Sequence, residues 1–292
     1  MNPQEIRVGV DGSPASRTAL RWAAIEAVGH NAELVVVHAY DWRVVGARAQ
    51  IGGSYADEQR ARAEALVESA VGDARAFAPD VKVSGETVLG APGKSLVHRS
   101  RNDGLTVVGS RGHGGFASLL LGSVSQQVAT HALGSVVVVR GRSDIAVGPI
   151  VVGVDGSPAG DYALGVAFDE AVARGAGLVA VRVYLPAHPT RGTNVPPYVE
   201  DPVLRRDNEQ RYLVEDVAPW RDKYPDIPVE SVVLKGRAAE VLIGLSSSAQ
   251  LVVVGTRGHG GFAGLLLGSV GLQLVHHADS PVLIARTTAT TR

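Results

Sequence analysis

VVGSRGHGGFASLLLGSVSQQV, residues Val107 to Val128, returns almost letter for letter as VVGTRGHGGFAGLLLGSVGLQL, residues Val253 to Leu274. Each copy opens on an apolar run, LTVVG or LVVVG, which predicts a buried strand. About a dozen glycine-rich residues follow before a helix is expected at Gly122-Ser123 or Gly268-Ser269. Strand-to-helix loops usually take two to six residues, so a loop of this length points to function or mobility. Gly109, Gly112, Gly114 and Gly115 carry no side chain and let backbone N–H groups turn toward a ligand. The Gly-Ser that follows stands where a helix exposes its unpaired N–H groups and the positive end of its dipole. That is the chemistry of a phosphate cradle.

The repeat extends over the whole chain. VGVDGSPAS, Val8 to Ser16, matches VGVDGSPAG, Val152 to Gly160. Asp11 pairs with Asp155 at an offset of 144, and Gly109 with Gly255 and Arg140 with Arg286 at 146, so the second half carries a net two-residue insertion. Two domains are expected, 1–141 and 148–292, joined by the short linker GRSDIAVGP, Gly141 to Pro149.

Each half alternates strands and helices. In the first, strands are expected at Ile6–Val10, Leu34–Ala39, Lys82–Leu89, Leu105–Gly109 and Ser135–Arg140. The first helix starts at Ser13-Pro14, with Ser as N-cap and Pro at the first helical position. Others are expected at about Tyr55–Phe77, at Gly93–Arg101 and from Ser123, where Gln126 gives a capping-box spacing. The second half repeats the strands at Ile150–Val154, Leu178–Val183, Val229–Leu234, Leu251–Gly255 and Pro281–Ala285. This order predicts an α/β fold with a parallel sheet covered on both faces. PAHPTRGTNVPPYVEDP, Pro186 to Pro202, is expected to be an irregular surface loop. Phe116 and Leu119 to Leu121 are expected to pack back onto the helices.

Composition narrows the function. The chain has 292 residues, 45% hydrophobic and 20% charged, with a net charge of −1. That is a soluble globular profile with no electrostatic reason to expect nucleic acid or an anionic membrane as partner. The absence of cysteine excludes disulfides, thiolate metal sites and cysteine nucleophiles. Neither a signal peptide nor a long apolar window is visible, so a cytoplasmic protein is expected.

The spacing G-x2-G-x9-G-S, at Gly109, Gly112, Gly122 and Ser123 and again at Gly255, Gly258, Gly268 and Ser269, resembles the nucleotide-binding signature of the ATP-binding branch of the universal stress protein family. The Asp-Gly-Ser-Pro turns support the resemblance, which covers nearly the whole chain as two consecutive family domains. It implies two doubly wound, Rossmann-like five-stranded sheets of strand order 3-2-1-4-5. Ligands bind such sheets beyond the carboxyl ends of strands, where the order reverses, here between strands 1 and 4. The resemblance also implies that the edge strands, SVVVVR and PVLIAR, pair the two domains about a two-fold axis within one chain. A further homodimer is left open.

The site then assembles as follows. Backbone N–H groups of Gly112, His113, Gly114, Gly115, Ser123 and Val124 hold phosphates, with hydroxyls of Ser123 and Ser125 as added donors. Ser110 belongs to the same loop, and Arg111 and His113 supply positive charge. Asp11 accepts from the ribose hydroxyls or holds a divalent cation, Mg2+ or Mn2+. Gly9 lets the ligand approach, and the resemblance sets the adenine against backbone near Ala39. The second site uses Gly153, Asp155, Val183, Gly255, Thr256, Arg257, Gly258, His259, Gly260, Gly261, Gly268, Ser269 and Val270. The same residues have plainer uses: Asp11 as a turn residue, Ser123 as an N-cap, His113 and His259 as solvent-facing side chains. His38, replaced by Arg182 in the second half, reads as structural. Ser125 becomes Gly271 and Gln126 becomes Leu272, so the second site is expected to bind more weakly.

No G-x-x-x-x-G-K-[ST], no G-x-G-x-x-G at the first turn and no nucleophile elbow is present. The residues fit ATP binding in a regulatory stress-response role, with slow hydrolysis at most. Alternatives are an adenylyl-transferring enzyme on a related fold, for which Arg191, Arg205 and Arg206 are the only candidate second pocket, and an interaction module without nucleotide.

Overall fold

The computed structural model describes residues 3–40, 53–100, 104–112, 120–143, 147–185, 201–258 and 266–287. The first half runs β1 (Glu5–Gly9), α1 (Pro14–His30), β2 (Glu33–Tyr40), α2 (Gly53–Phe77), β3 (Lys82–Leu89), α3 (Pro92–Arg99), β4 (Leu105–Gly109), α4 (Ser123–His131) and β5 (Ser135–Val139). The second runs β6 (Ile150–Gly153), α5 (Pro158–Arg174), β7 (Leu178–Tyr184), α6 (Pro202–Lys223), β8 (Val229–Lys235), α7 (Ala238–Ser246), β9 (Leu251–Gly255), α8 (Ser269–His277) and β10 (Val282–Ala285). Every expected strand is present, shifted by at most one residue at an end. Among the described residues no helix is long and apolar enough to cross a membrane.

All ten strands form one sheet in the order β3-β2-β1-β4-β5-β10-β9-β6-β7-β8. Each half has the order 3-2-1-4-5, with its strands parallel. The halves join where β5 and β10 pair antiparallel, Val136 opposite Ile284 and Val138 opposite Val282. This joint covers the β5 and β10 edges with backbone hydrogen bonds and leaves β3 and β8 as the edges of the common sheet. It also sets a direction: the carboxyl ends of the two half-sheets lie at opposite ends of the strands.

Both faces are covered, and each cover spans the two halves. One apolar core joins α1, α2, α5 and α6 to the sheet through Leu20, Ala74, Phe168, Leu213, Ile6 and Val107. The other joins α3, α4, α7 and α8 through Leu96, Val128, Leu242, Leu274, Val138 and Ile284. A strand buried on both faces carries valine without alternation, which accounts for SVVVV and LVVVG. Leu121 lies in the second core as expected, while Leu120 is exposed, contrary to expectation. Phe116 and Leu119 lie outside the described residues.

On the first face, α1 and α5 meet across the joint through charge. His30 Nε2 lies 3.2 Å from Glu26 Oε1 and 3.4 Å from Glu170 Oε1, and Arg174 pairs with both carboxylates. Arg174 also lies over the Trp22 ring. Glu26 and Glu170 are buried, and their burial is offset by the two cations they face, His30 and Arg174.

Candidate functional site

After β1 the chain passes to α1 on one face of the sheet, and after β4 to α4 on the other. The two turns leave a crevice at the carboxyl ends of these neighbouring strands, as the reversal of order requires. In the first turn Asp11 Oδ1 accepts from the Ser13 N–H at 2.9 Å, and Ser13 Oγ caps α1 by accepting from the Ser16 N–H at 3.2 Å. Gly12 has φ +82°, which a side chain would resist. The expected Ser-Pro start of α1 is therefore present, and it recurs at Ser157-Pro158.

The turn after β4 comes against that first turn closely. A Cβ on Gly109 would lie 2.6 Å from the Ala15 carbonyl oxygen, and one on Gly112 would collide with Asp11 Oδ2. The second half reproduces both approaches: a Cβ on Gly255 would lie 2.6 Å from the Ala159 carbonyl, and one on Gly258 would strike Asp155 Oδ2. The glycine-rich loop and the Asp turn, about a hundred residues apart in sequence, are thus in contact in each half.

The far end of each loop is tied to its start. Gly122 N–H donates to the Ser110 carbonyl at 2.8 Å, and Gly268 N–H to the Thr256 carbonyl at 2.7 Å. Ser110 N–H in turn donates to the Val139 carbonyl at 3.0 Å. This clasp aims the first turns of α4 and α8 into the crevices. It also moves the caps: Gly122 and Gly268 are the N-caps, with no side-chain capping bond. The capping box expected from Ser123 and Gln126 is not formed, and Ser123 is the first helical residue, so its N–H is among those without an intrahelical acceptor.

The first crevice holds a cavity of about 490 Å³ and the second one of about 300 Å³, both within the range of small-molecule sites. Gly9, Asp11, Ala39, Gly109, Arg111, Gly112, Gly122, Ser123, Val124 and Ser125 all line the first. Gly153, Asp155, Val183, Gly255, Thr256, Arg257, Gly258, Gly268, Ser269 and Val270 all line the second. Ser110 supports the clasp through its backbone rather than lining the cavity. His113, Gly114, Gly115, His259, Gly260 and Gly261 lie outside the described residues.

Two roles change. The buried Ser125 hydroxyl donates to the Gly109 carbonyl at 2.6 Å, so its one proton braces the β4 turn and is not a donor to a ligand. Gly9 makes room for a protein side chain: a Cβ there would lie 2.7 Å from Leu96 Cδ1. Leu96, with Val37, Val108 and Pro92, forms an apolar wall of the first cavity that sequence reasoning missed. Leu242, Val181 and Val254 do the same in the second. The signal was present in the β-strand ends and in the apolar face of α3, but not which valines face the crevice.

His38 is structural as expected, with Nδ1 2.7 Å from the Val10 carbonyl. Its counterpart Arg182 pairs with Glu209 at 2.7 Å and Asp216 at 3.0 Å on α6, so it too is structural. Of the three arginines suggested as a second substrate pocket, Arg205 lies over the Tyr184 ring and pairs weakly with Glu209, while Arg191 lies outside the described residues, as does the Pro-rich stretch 186–200.

The universal stress protein family model matches residues 3–140 and again 147–286. Universal stress protein Rv2005c of Mycobacterium tuberculosis is 38% identical over 293 residues, covering 96% of each chain. A universal stress protein of Mycolicibacterium smegmatis is 35% identical over 295 residues, again covering 96% of each. Among solved structures, a universal stress protein from Archaeoglobus fulgidus superposes with a TM-score of 0.70 at 20% identity, over 97% of this chain and 96% of that one, a likeness of fold. Two copies of the family domain, in tandem and sharing one sheet, make this chain a member of the universal stress protein family.

Proposed function

We propose that the chain is a cytoplasmic regulatory protein of stress response that binds ATP in each half, 1–141 and 148–292, and hydrolyses it slowly or not at all. One observation carries this reading. The N-terminus of a helix, a glycine loop and an aspartate converge on a cavity with an apolar wall, and they do so twice with the same contacts. The N–H groups of Gly112, Ser123 and Val124 are donors suited to phosphate, and Arg111 adds charge. The wall of Val37, Ala39 and Leu96 suits a flat apolar base. Asp11 would accept from ribose hydroxyls or assist an accompanying Mg2+ or Mn2+. A Cβ at Gly112 would meet Asp11 Oδ2, so the loop backbone and the aspartate share one end of the crevice. Among the described residues that line the cavities, the Ser16 and Ser125 hydroxyls both donate to backbone carbonyls rather than to a basic side chain, which favours binding over turnover.

The second site is expected to be the weaker. Its cavity is smaller, and Val183 stands where the first has Ala39. The test is calorimetric titration of ATP, with and without Mg2+, into nucleotide-free wild type and into Asp11→Asn with Gly112→Val. Wild type should bind and the variant should lose the tighter of two sites. Absence of binding by the emptied wild type sinks the nucleotide reading. Steady-state hydrolysis at ordinary enzyme rates sinks the regulatory one.

A further inference from the structure

The residue that ends each half reaches into the other half. Arg286, next after β10, is 8% exposed. Its Nη2 donates to the carbonyls of Ala129 and Thr130, the latter at 3.0 Å, in the last turn of α4. Its Nη1 donates at 3.5 Å to the Leu266 carbonyl, two residues before the N-cap of α8. One guanidinium therefore touches the helix that forms the first pocket's cradle and the loop that forms the second's. Its backbone N–H is fixed by Ser135 Oγ at 3.1 Å, again across the joint. Arg140 makes the reciprocal reach, donating from Nη1 to the Leu274 carbonyl of α8 at 3.1 Å.

The antiparallel joint explains this crossing. It sets the carboxyl ends of β4 and β10 at opposite ends of the strands, so α4 begins at the first pocket and ends on the side of the sheet that carries the second. A nine-residue helix spans about 13 Å. An anion at its N-terminus and a cation at its C-terminus both align with its dipole. Electrostatics give the sign of the link. Burial, and then the charge of Arg257 in the second pocket, press the Arg286 guanidinium down to about 10. A bound anion beside Arg257 offsets that repulsion, so Arg286 holds both its partners more firmly.

We propose that Arg286 is a positioning residue that couples the pockets, so that filling the second with an anionic nucleotide tightens binding in the first. The proposal rests on the nucleotide reading above. Coupling of this kind is reciprocal and amounts to about five-fold or more in affinity.

The test is an ATP titration of glycine-labelled protein, followed by nuclear magnetic resonance at the amides of Gly122 and Gly268, one per pocket. Gly258→Val closes the second pocket against Asp155. In wild type the first pocket should bind about five-fold or more tighter than in Gly258→Val. In the Arg286→Lys background, closing the second pocket should change nothing at Gly122. Equal first-pocket affinity in wild type and Gly258→Val overturns the coupling without any Arg286 variant. An equal loss in both backgrounds overturns the role of Arg286. No ATP response at either glycine in wild type overturns the nucleotide reading itself, and the coupling with it.

Discussion

Raising the pH from about 6 to about 9 should loosen the joint between the halves, and His30 sets the size of the effect. Burial lowers the His30 pKa, but hydrogen bonds to Glu170 and Glu26, together with their charges, outweigh it and bring it to about 9 from 6.5. A raised folded-state value means that the stabilisation is complete below 6.5 and is lost as the pH rises through 9. At about 1.36 kcal/mol for each tenfold change in proton affinity the rise corresponds to roughly 3 kcal/mol, most of which falls within the chosen window. Glu26 acts in the same direction at lower pH. Burial and then the charge of Glu170 raise it to about 7, against Arg174 and His30, so its share is lost between 4.5 and 7. Glu170 behaves oppositely. Burial raises it, but the hydrogen bonds from His30 and Glu26 and the charge of Arg174 bring it to about 2. Its contribution is present above 4.5 and lost only as the pH falls through 2, so it stays constant over this window.

The assay is urea unfolding of wild type and His30→Gln at both pH values. Groups elsewhere titrate alike in the two proteins and cancel. The wild type should lose roughly 2 to 3 kcal/mol more than the variant between about pH 6 and pH 9. Parallel losses, or a wild type that gains stability at the higher pH, would refute the argument that His30 is held protonated by two buried carboxylates.

Three further outcomes follow from the glycines and the cavities. Gly255→Ala should destabilise by about 1–3 kcal/mol, because its Cβ would lie 2.6 Å from the Ala159 backbone carbonyl, whereas Gly72→Ala on α2, with open space around it, should stabilise by up to about 1 kcal/mol; equal urea midpoints for the two variants would contradict the packing described. Val183→Ala should enlarge the second cavity and strengthen ATP binding there, read at the Gly268 amide, and an unchanged titration would show that Val183 does not limit the site.

Much of the fold was legible because its signals are local. Ser13-Pro14 caps and starts α1 wherever the chain goes next, and SVVVV declares a strand buried on both faces. The site was legible as a constellation because the motif is repeated and the parallel order brings the turns after β1 and β4 together. What failed depended on contacts between distant segments. The helix after the loop starts at Ser123 as expected, but Gly122 is its N-cap and its N–H is tied to Ser110, so the capping box read from Ser123 and Gln126 does not form. Ser125 turns inward because the Gly109 carbonyl is within reach, which only the packed β4 turn determines. The uniform valines of LVVVHA give no period, so Val37 could not be assigned to the crevice. Glu26 and His30, four apart, read as one helix face, but their need for Glu170 and Arg174 appears only when α1 meets α5.

That meeting shows what joining two copies in one chain allows. Glu26 and Glu170 stand at the same position of the repeat, 144 apart, and so do His30 and Arg174. In a pair of identical subunits the two cations would also be identical. Two arginines would neutralise two glutamates at every physiological pH. Two histidines would do so only while both kept their protons. One of each leaves the joint with a permanent half and a titratable half, and the permanent half is what keeps Glu170 ionised when His30 loses its proton. The same freedom to differ separates Ala39 from Val183 and Ser125 from Gly271. The shared sheet and its two cores therefore keep the repeat in register, while the residues at the joint and at the crevices have diverged in charge and in size.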